Sequence, residues 1–222
     1  MPQSSYGPPT RSLYIGAAGE HYIMAECFRN QLEAFKLPID KGFDLVVTTA
    51  CRHFEGADAL HADRPELPVY LQVKSLRIRL EAASLDDRPE GRGWFQLKHS
   101  DLELLARAPN SALACVLFID EDQSHHLRGQ RAFAWWHSSA ELDDLERRGF
   151  LGRDPSGEHA RLNVVFRDPA QRSQDRQHAY LALTKDRDQA RLHGSANHMV
   201  PAAQFDFGRL PSVAGQALAR ER

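Results

Sequence analysis

The chain has 222 residues, of which 42% are hydrophobic and 26% charged, and its formal net charge at neutral pH is −2. These are the values of an ordinary globular protein, long enough to bury a proper core as one large domain or as one domain with an appendage. They exclude an overall basic signature, although nucleic-acid binding needs only a local basic stripe.

The three cysteines, Cys27, Cys51 and Cys115, are scattered and lack Cys-x-x-Cys spacing, so they read as buried thiols in a reducing compartment. No apolar run is long enough to cross a bilayer, and no basic-then-apolar secretory start is present. A cytoplasmic protein with no membrane partner is expected.

In chain order, residues 1–12 are expected to be a flexible lead-in, rich in Pro, Ser and Gly through Thr10. Residues 16–36 read as one long helix, stopped by Leu37-Pro38 because proline disfavours helix in the residue before it. Its apolar residues form two overlapping stripes, one through Ala18, Tyr22, Ala25 and Leu32 and one through Ile23, Met24, Cys27 and Phe28, which predicts burial over much of its circumference. Glu20 lies in a row with Met24, Cys27 and Gln31. A carboxylate on an apolar row needs a partner or a metal, or else serves as a first-turn charge on the helix dipole.

Residues 42–47 and 69–75 read as two adjacent strands, apolar and β-branched with polar residues alternating. Gln72 and Lys74 share one face of the second strand, and Asp44 opens the first, so three polar groups can converge. The alternative is a chance arrangement on a solvated sheet face. Between the strands, residues 48–68 carry Arg52, His53, Glu55, Asp58, His61, Asp63 and Arg64. A metal set from His53, His61 and Asp63 fits no closed structural spacing, and a solvated loop at the rim of the site is the better reading, with a substrate-contacting loop between the two.

The second strand extends through Leu80, which places Arg77 and Arg79 opposite Lys74. After a charged loop comes the run Trp94 to Lys98. Ser100 with Glu103 reads as a capping box for a helix ending near Ala108. The almost wholly apolar run 112–119 is expected to be a central strand covered on both faces. A strand at 131–136 follows, and Ser138 with Glu141 forms a second capping box, for a helix ending near Gly149. Trp135 and Trp136 point to opposite faces, one in the core and the other freer, with base stacking a minor reading for the freer ring. In the final third, 162–166 and 179–183 read as strands and 204–207 as a short last one, with a charged segment at 167–178.

Taken together, Asp44 followed by Gln72-Val73-Lys74 resembles the PD-(D/E)xK nuclease superfamily in its Gln-x-Lys form. Gly16-Ala17-Ala18-Gly19-Glu20 looks like the Gly-x-x-Gly-Glu that opens the first helix of several of these nucleases. The order helix, Gly-Phe-Asp-Leu-Val-Val strand, then Leu-Gln-Val-Lys-Ser is similar to a bacterial PD-(D/E)xK-like family of unknown function, and covers roughly the first hundred residues. The resemblance implies an α/β chain with a restriction-endonuclease-like core, a mixed central sheet flanked by helices, and a C-terminal extension. The core would span 13–150, and the extension, with a loose tail, 151–222.

It implies a Mg²⁺- or Mn²⁺-dependent endonuclease hydrolysing phosphodiester bonds in DNA, of the restriction, phage-defence, repair or junction-resolution type. RNA is left open as a substrate, as is a homodimer or a partner protein. Asp44, Gln72 and the Val73 carbonyl would hold the metal, since hard cations take oxygen ligands. Lys74 would position the attacking water and offset charge on the phosphate, and Glu20 would help orient that water. The competing class is a non-catalytic nucleic-acid-binding or assembly module that keeps the fold, favoured by the weak charge balance and the neutral Gln72. No Gly-x-Gly-x-x-Gly or phosphate loop supports a dinucleotide enzyme.

Overall fold

The computed structural model describes residues 9–38, 42–48, 68–82, 89–108, 110–120, 130–153, 157–167, 180–185 and 197–210. The remaining residues lie outside them, among them 1–8, 49–67 with Cys51, His53, His61 and Asp63, 121–129, 168–179 and 211–222.

The expected class is observed: helices flank a mixed central sheet. Helix α1 (Pro9–Arg29) starts earlier than the sequence suggests and stops earlier. Its last turn closes with the Leu32 N–H on the Cys27 carbonyl at 2.9 Å and the Gln31 N–H on that of Phe28 at 3.0 Å, with Gln31 at φ 57°. That is a Schellman ending with a left-handed Gln where glycine is usual. The chain can then extend as strand β1 (Glu33–Lys36), where the sequence pattern predicts helix.

The burial on α1 is also narrower than expected. Gly19, Ile23 and Cys27 form the buried row, at i, i+4 and i+8, while Ala18, Ala25 and Phe28 face out.

Strands β2 (Leu45–Thr48) and β3 (Val69–Arg79) follow. After β4 (Glu81–Ala82) and β5 (Pro89–Lys98) come α2 (His99–Arg107), β6 (Ser111–Asp120), β7 (Gln130–Ser138) and α3 (Ser139–Arg147). The central sheet has the order β1-β2-β3-β6-β7, with β3 and β6 parallel and the other pairs antiparallel. The apolar run of β6 lies between β3 and β7 and is buried almost throughout, as a doubly covered strand should be.

A second sheet, antiparallel throughout, packs on one face of the first. In it β9 (His159–Arg167) pairs along its whole length with β5. Its other edge is shared in tandem by β8 (Leu151–Arg153) and β10 (Tyr180–Thr184), and β11 (Asn197–Met199) follows β10. The strands after residue 150 are therefore built into a sheet with β5.

Gly91 and Gly93 let β5 approach β3, because a Cβ at either would press on Ile78, Leu76 or Leu80. The larger core fills this layer with Ile78, Phe95, Leu117, Trp135, Phe166 and Leu183, capped by Leu105 of α2 and Leu142 of α3. A second core lies between α1 and the other face of the central sheet, around Ile23, Cys27, Leu71, Val73 and Val116.

Three local expectations change and one holds. The Ser100–Glu103 capping box does not form, because α2 starts directly from β5 with Lys98 as its N-cap and no side-chain cap. The Ser138–Glu141 box does form. Residues 204–207 fall in two 3-10 turns, Ala202–Phe205 and Phe207–Arg209, rather than a strand. Both tryptophans are buried, Trp135 in one core and Trp136 in the other, with the Trp136 indole N–H on the Asp206 carbonyl at 3.1 Å. No free ring is left at that position for a base.

Candidate metal centre at the end of strand β2

Strand β2 is shorter than β3, and the site lies where it runs out. The two pair through Leu45↔Leu71, Val46↔Tyr70 and Val47↔Val69, and the Asp44 N–H still reaches the Leu71 carbonyl at 2.8 Å. One residue further along, Val73 turns its N–H to the same edge, where β2 no longer offers a backbone acceptor. The side chain of Asp44 takes that role, with Oδ2 accepting from Val73 N–H at 2.6 Å and from Gln72 Nε2 at 2.7 Å. A carboxylate that accepts two N–H bonds is held firmly in one orientation.

The register places Asp44, Gln72 and Lys74 on one face, towards the larger core and α2. Gln72 is 6% exposed and its Oε1 is buried with no hydrogen-bond partner among the described residues. A buried amide oxygen without a partner is costly, and a water or a cation is the usual explanation. In an extended strand the N–H and carbonyl of one residue point to the same edge, so the Val73 carbonyl shares the edge on which its N–H meets Asp44. The donors gathered here are oxygens only, the set that suits Mg²⁺ or Mn²⁺. They fit such an ion, with Asp44 as the anionic member.

Lys74 is on the expected face, and its ammonium lies 3.0 Å from Asp101 Oδ2 in the first turn of α2. Helix α2 is anchored close by. Leu104 packs against Gly42, where φ is 91° and a Cβ would collide. The Ser111 hydroxyl closes the other end of the helix on the Leu105 and Ala108 carbonyls, at 3.0 and 2.7 Å. Beneath Lys74, Cys115 of β6 is its register partner, and burial pushes that thiol up from its ordinary range.

Glu20 stands apart from the other three. Helix α1 packs on the opposite face of β3, so closely that a Cβ on Gly19 would overlap the Ser75 hydroxyl. Glu20 Oε2 contacts the Lys36 ammonium at 2.6 Å. Lys36 is held above its ordinary pKa, mainly by Glu20, with a smaller contribution from Asp44. Glu20 and Asp44 are thus linked by the field of one lysine rather than by contact.

Arg77 pairs with Asp120 at 2.7 Å, away from the site as expected. Sequence reasoning missed two residues, Asp101 and Lys36. Asp101 is an acid in the first turn of a helix that follows a strand directly, a signal that the capping-box reading obscured. Lys36 lay in the segment read as helix.

Among the described residues no group of three or more His, Cys, Asp or Glu side chains gathers as a metal cluster, and no helix is long and apolar enough to cross a membrane. No protein-family profile and no curated protein matches the chain. Among solved structures, the Holliday junction resolvase Hjc of Archaeoglobus fulgidus aligns with 66% of this chain and 82% of its own, at 13% identity and a TM-score of 0.33.

Proposed function

We propose that the chain is a Mg²⁺- or Mn²⁺-dependent nuclease hydrolysing phosphodiester bonds in DNA. The observation that carries this reading is the edge of β3 beyond the end of β2. There an oriented carboxylate, a buried amide oxygen without a partner and a backbone carbonyl lie together, with a lysine two residues on along the same face.

Asp44, Gln72 and the Val73 carbonyl would hold the cation, which when bound supplies Lewis-acid polarisation of the phosphate. Lys74 acts from the same face. Its three N–H donors can orient the attacking water and stabilise negative charge as it builds on the phosphate oxygens. Asp44 keeps its orientation through Val73 N–H, so the carboxylate does not need to reorganise when substrate arrives. Glu20 contributes at a distance, by setting the position of Lys36 and hence the field at Asp44.

A second reading, a nucleic-acid-binding or assembly module on the same scaffold, is favoured by the two N–H bonds already made to Asp44 Oδ2 and by the ion pair that occupies Lys74. Titrating Mn²⁺ into the protein by calorimetry separates the two. The nuclease reading expects binding that Asp44→Ala abolishes, and the absence of a saturable signal in the parent protein would favour the module.

A further inference from the structure

Asp101 is brought beside Lys74 by α2. Its carboxylate is 15% exposed and 3.0 Å from the Lys74 ammonium, itself 23% exposed. A carboxylate this far out of water needs an opposite charge, and Lys74 supplies one. On the same face, Gln72 is 6% exposed and keeps Oε1 unpartnered, and Asp44 is the carboxylate beside it. A hard divalent cation is commonly held by one or two carboxylates, and Gln72, being neutral, does not provide the second.

We propose that Asp101 is that second carboxylate, so that the cation site is Asp44 and Gln72 from the sheet completed by Asp101 from α2, with Lys74 holding the place of the cation's charge until the ion binds. This deepens the nuclease reading and rests on it.

The arrangement has a consequence that a plain structural ion pair lacks. An ammonium and a divalent cation compete for Asp101, so cation binding frees Lys74 from its partner and makes it available to water and phosphate. Removing the lysine should strengthen metal binding in the absence of DNA, as loss of a neighbouring positive charge does at any cation site, so the Asp101 variants carry the discrimination. If Asp101 serves only to anchor Lys74 and to place a negative charge at the start of α2, its loss should lower stability and leave metal affinity unchanged.

The test uses the full chain without DNA. Mn²⁺ is titrated into the parent protein, Asp44→Asn, Asp101→Asn, Asp101→Glu and Lys74→Met, by calorimetry and by the electron paramagnetic resonance signal of free Mn²⁺, with thermal melting as a check on folding. Asp44→Asn and Asp101→Asn should each weaken binding at least about tenfold, the scale seen even for loss of a supporting partner. Asp101→Glu should retain most of the affinity, and Lys74→Met should bind more tightly than the parent. Unchanged affinity in a folded Asp101→Asn, with affinity lost in Asp44→Asn, would overturn the role of Asp101 and leave the nuclease reading standing. A parent that does not bind Mn²⁺ at all would overturn both.

Discussion

Gln72 turns the NH₂ end of its side-chain amide to Asp44, 2.7 Å from Oδ2, and leaves the carbonyl end buried without a partner. A carboxylate can only accept, so the amide must present its donor to Asp44 as long as no cation stands between them. The neutral residue can thus donate to Asp44 where a second acid would repel it.

Gln72→Glu is expected to act in opposite directions with and without metal. Two carboxylates at this separation raise the cost of ionising both, so the metal-free variant should melt lower than the parent. Its affinity for Mn²⁺ should rise, because a further anionic ligand faces the ion, with no large gain in cleavage rate. Thermal melts and Mn²⁺ titrations of both proteins read the two effects, and an unchanged affinity would mean that Gln72 is not a ligand.

Glu20 and Asp44 should differ in weight. Asp44 touches the proposed ligand set directly, whereas Glu20 lies on the α1 side and reaches it through Lys36. Asp44→Ala should therefore remove cleavage, and Glu20→Gln should slow it by a smaller factor. Rates measured under saturating Mn²⁺ decide this, and equal or reversed losses would refute the division of roles.

The close approach of α1 to β3 makes Gly19 sensitive. A methyl group there overlaps the Ser75 hydroxyl, with the Val116 side chain next to it. Gly19→Ala should cost about 1–3 kcal/mol, the usual penalty for overpacking a fitted contact, partly offset by alanine's better helix propensity. Gly16→Ala, with open space around the position, serves as the control and should be neutral or slightly stabilising. Urea unfolding of the two variants is the measurement.

How much of this was readable in advance depended on whether a single residue type carried the signal. The alternation in β3 and the apolar run of β6 were legible because both strands are long and their burial decides their composition. So were the pairing of Asp44 with Gln72 and the face shared with Lys74, which follow from the two-residue period of a strand. Strand β1 was not, since Glu-Ala-Phe-Lys suits a helix and no glycine marks the turn at Gln31. The second sheet was obscured for a similar reason. Its strand β5 carries Pro89, Gly91 and Gly93, which weaken a strand pattern locally, and here the glycines serve the close approach to β3. The place of Asp101 in the first turn of α2 was readable, but its approach to Lys74 was not, because that depends on how α2 docks beside Gly42.

Acid stability should depend on His137. It is fully buried, its Nε2 accepts the Trp135 indole N–H at 2.9 Å, and burial, with a lesser contribution from His198, pushes its pKa down to about 3 from an ordinary 6.5. The unfolded chain takes up the proton more readily than the folded one. Stability from this group is therefore complete above pH 6.5 and is lost as the pH falls from there towards 3, at about 1.4 kcal/mol per pH unit. His198, also lowered by burial and by Arg148, works in the same direction. Urea midpoints between neutral pH and pH 4 should fall steeply for the parent and less steeply for His137→Gln. Parallel slopes would show that other groups dominate.

The measurement that bears most directly on the nuclease reading is DNA cleavage by the parent protein and by Lys74→Ala, with Mn²⁺ and with EDTA, on supercoiled, linear, single-stranded and four-way DNA. Lys74 is joined to Asp101 by an ion pair at 3.0 Å, and its side chain is partly exposed, so truncating it should leave the fold in place, as circular dichroism would report. The expected result is metal-dependent cleavage of at least one substrate by the parent, absent with EDTA and absent in a folded Lys74→Ala. Cleavage at near-parental rate by that variant, or none by the parent on any substrate, would overturn the assignment.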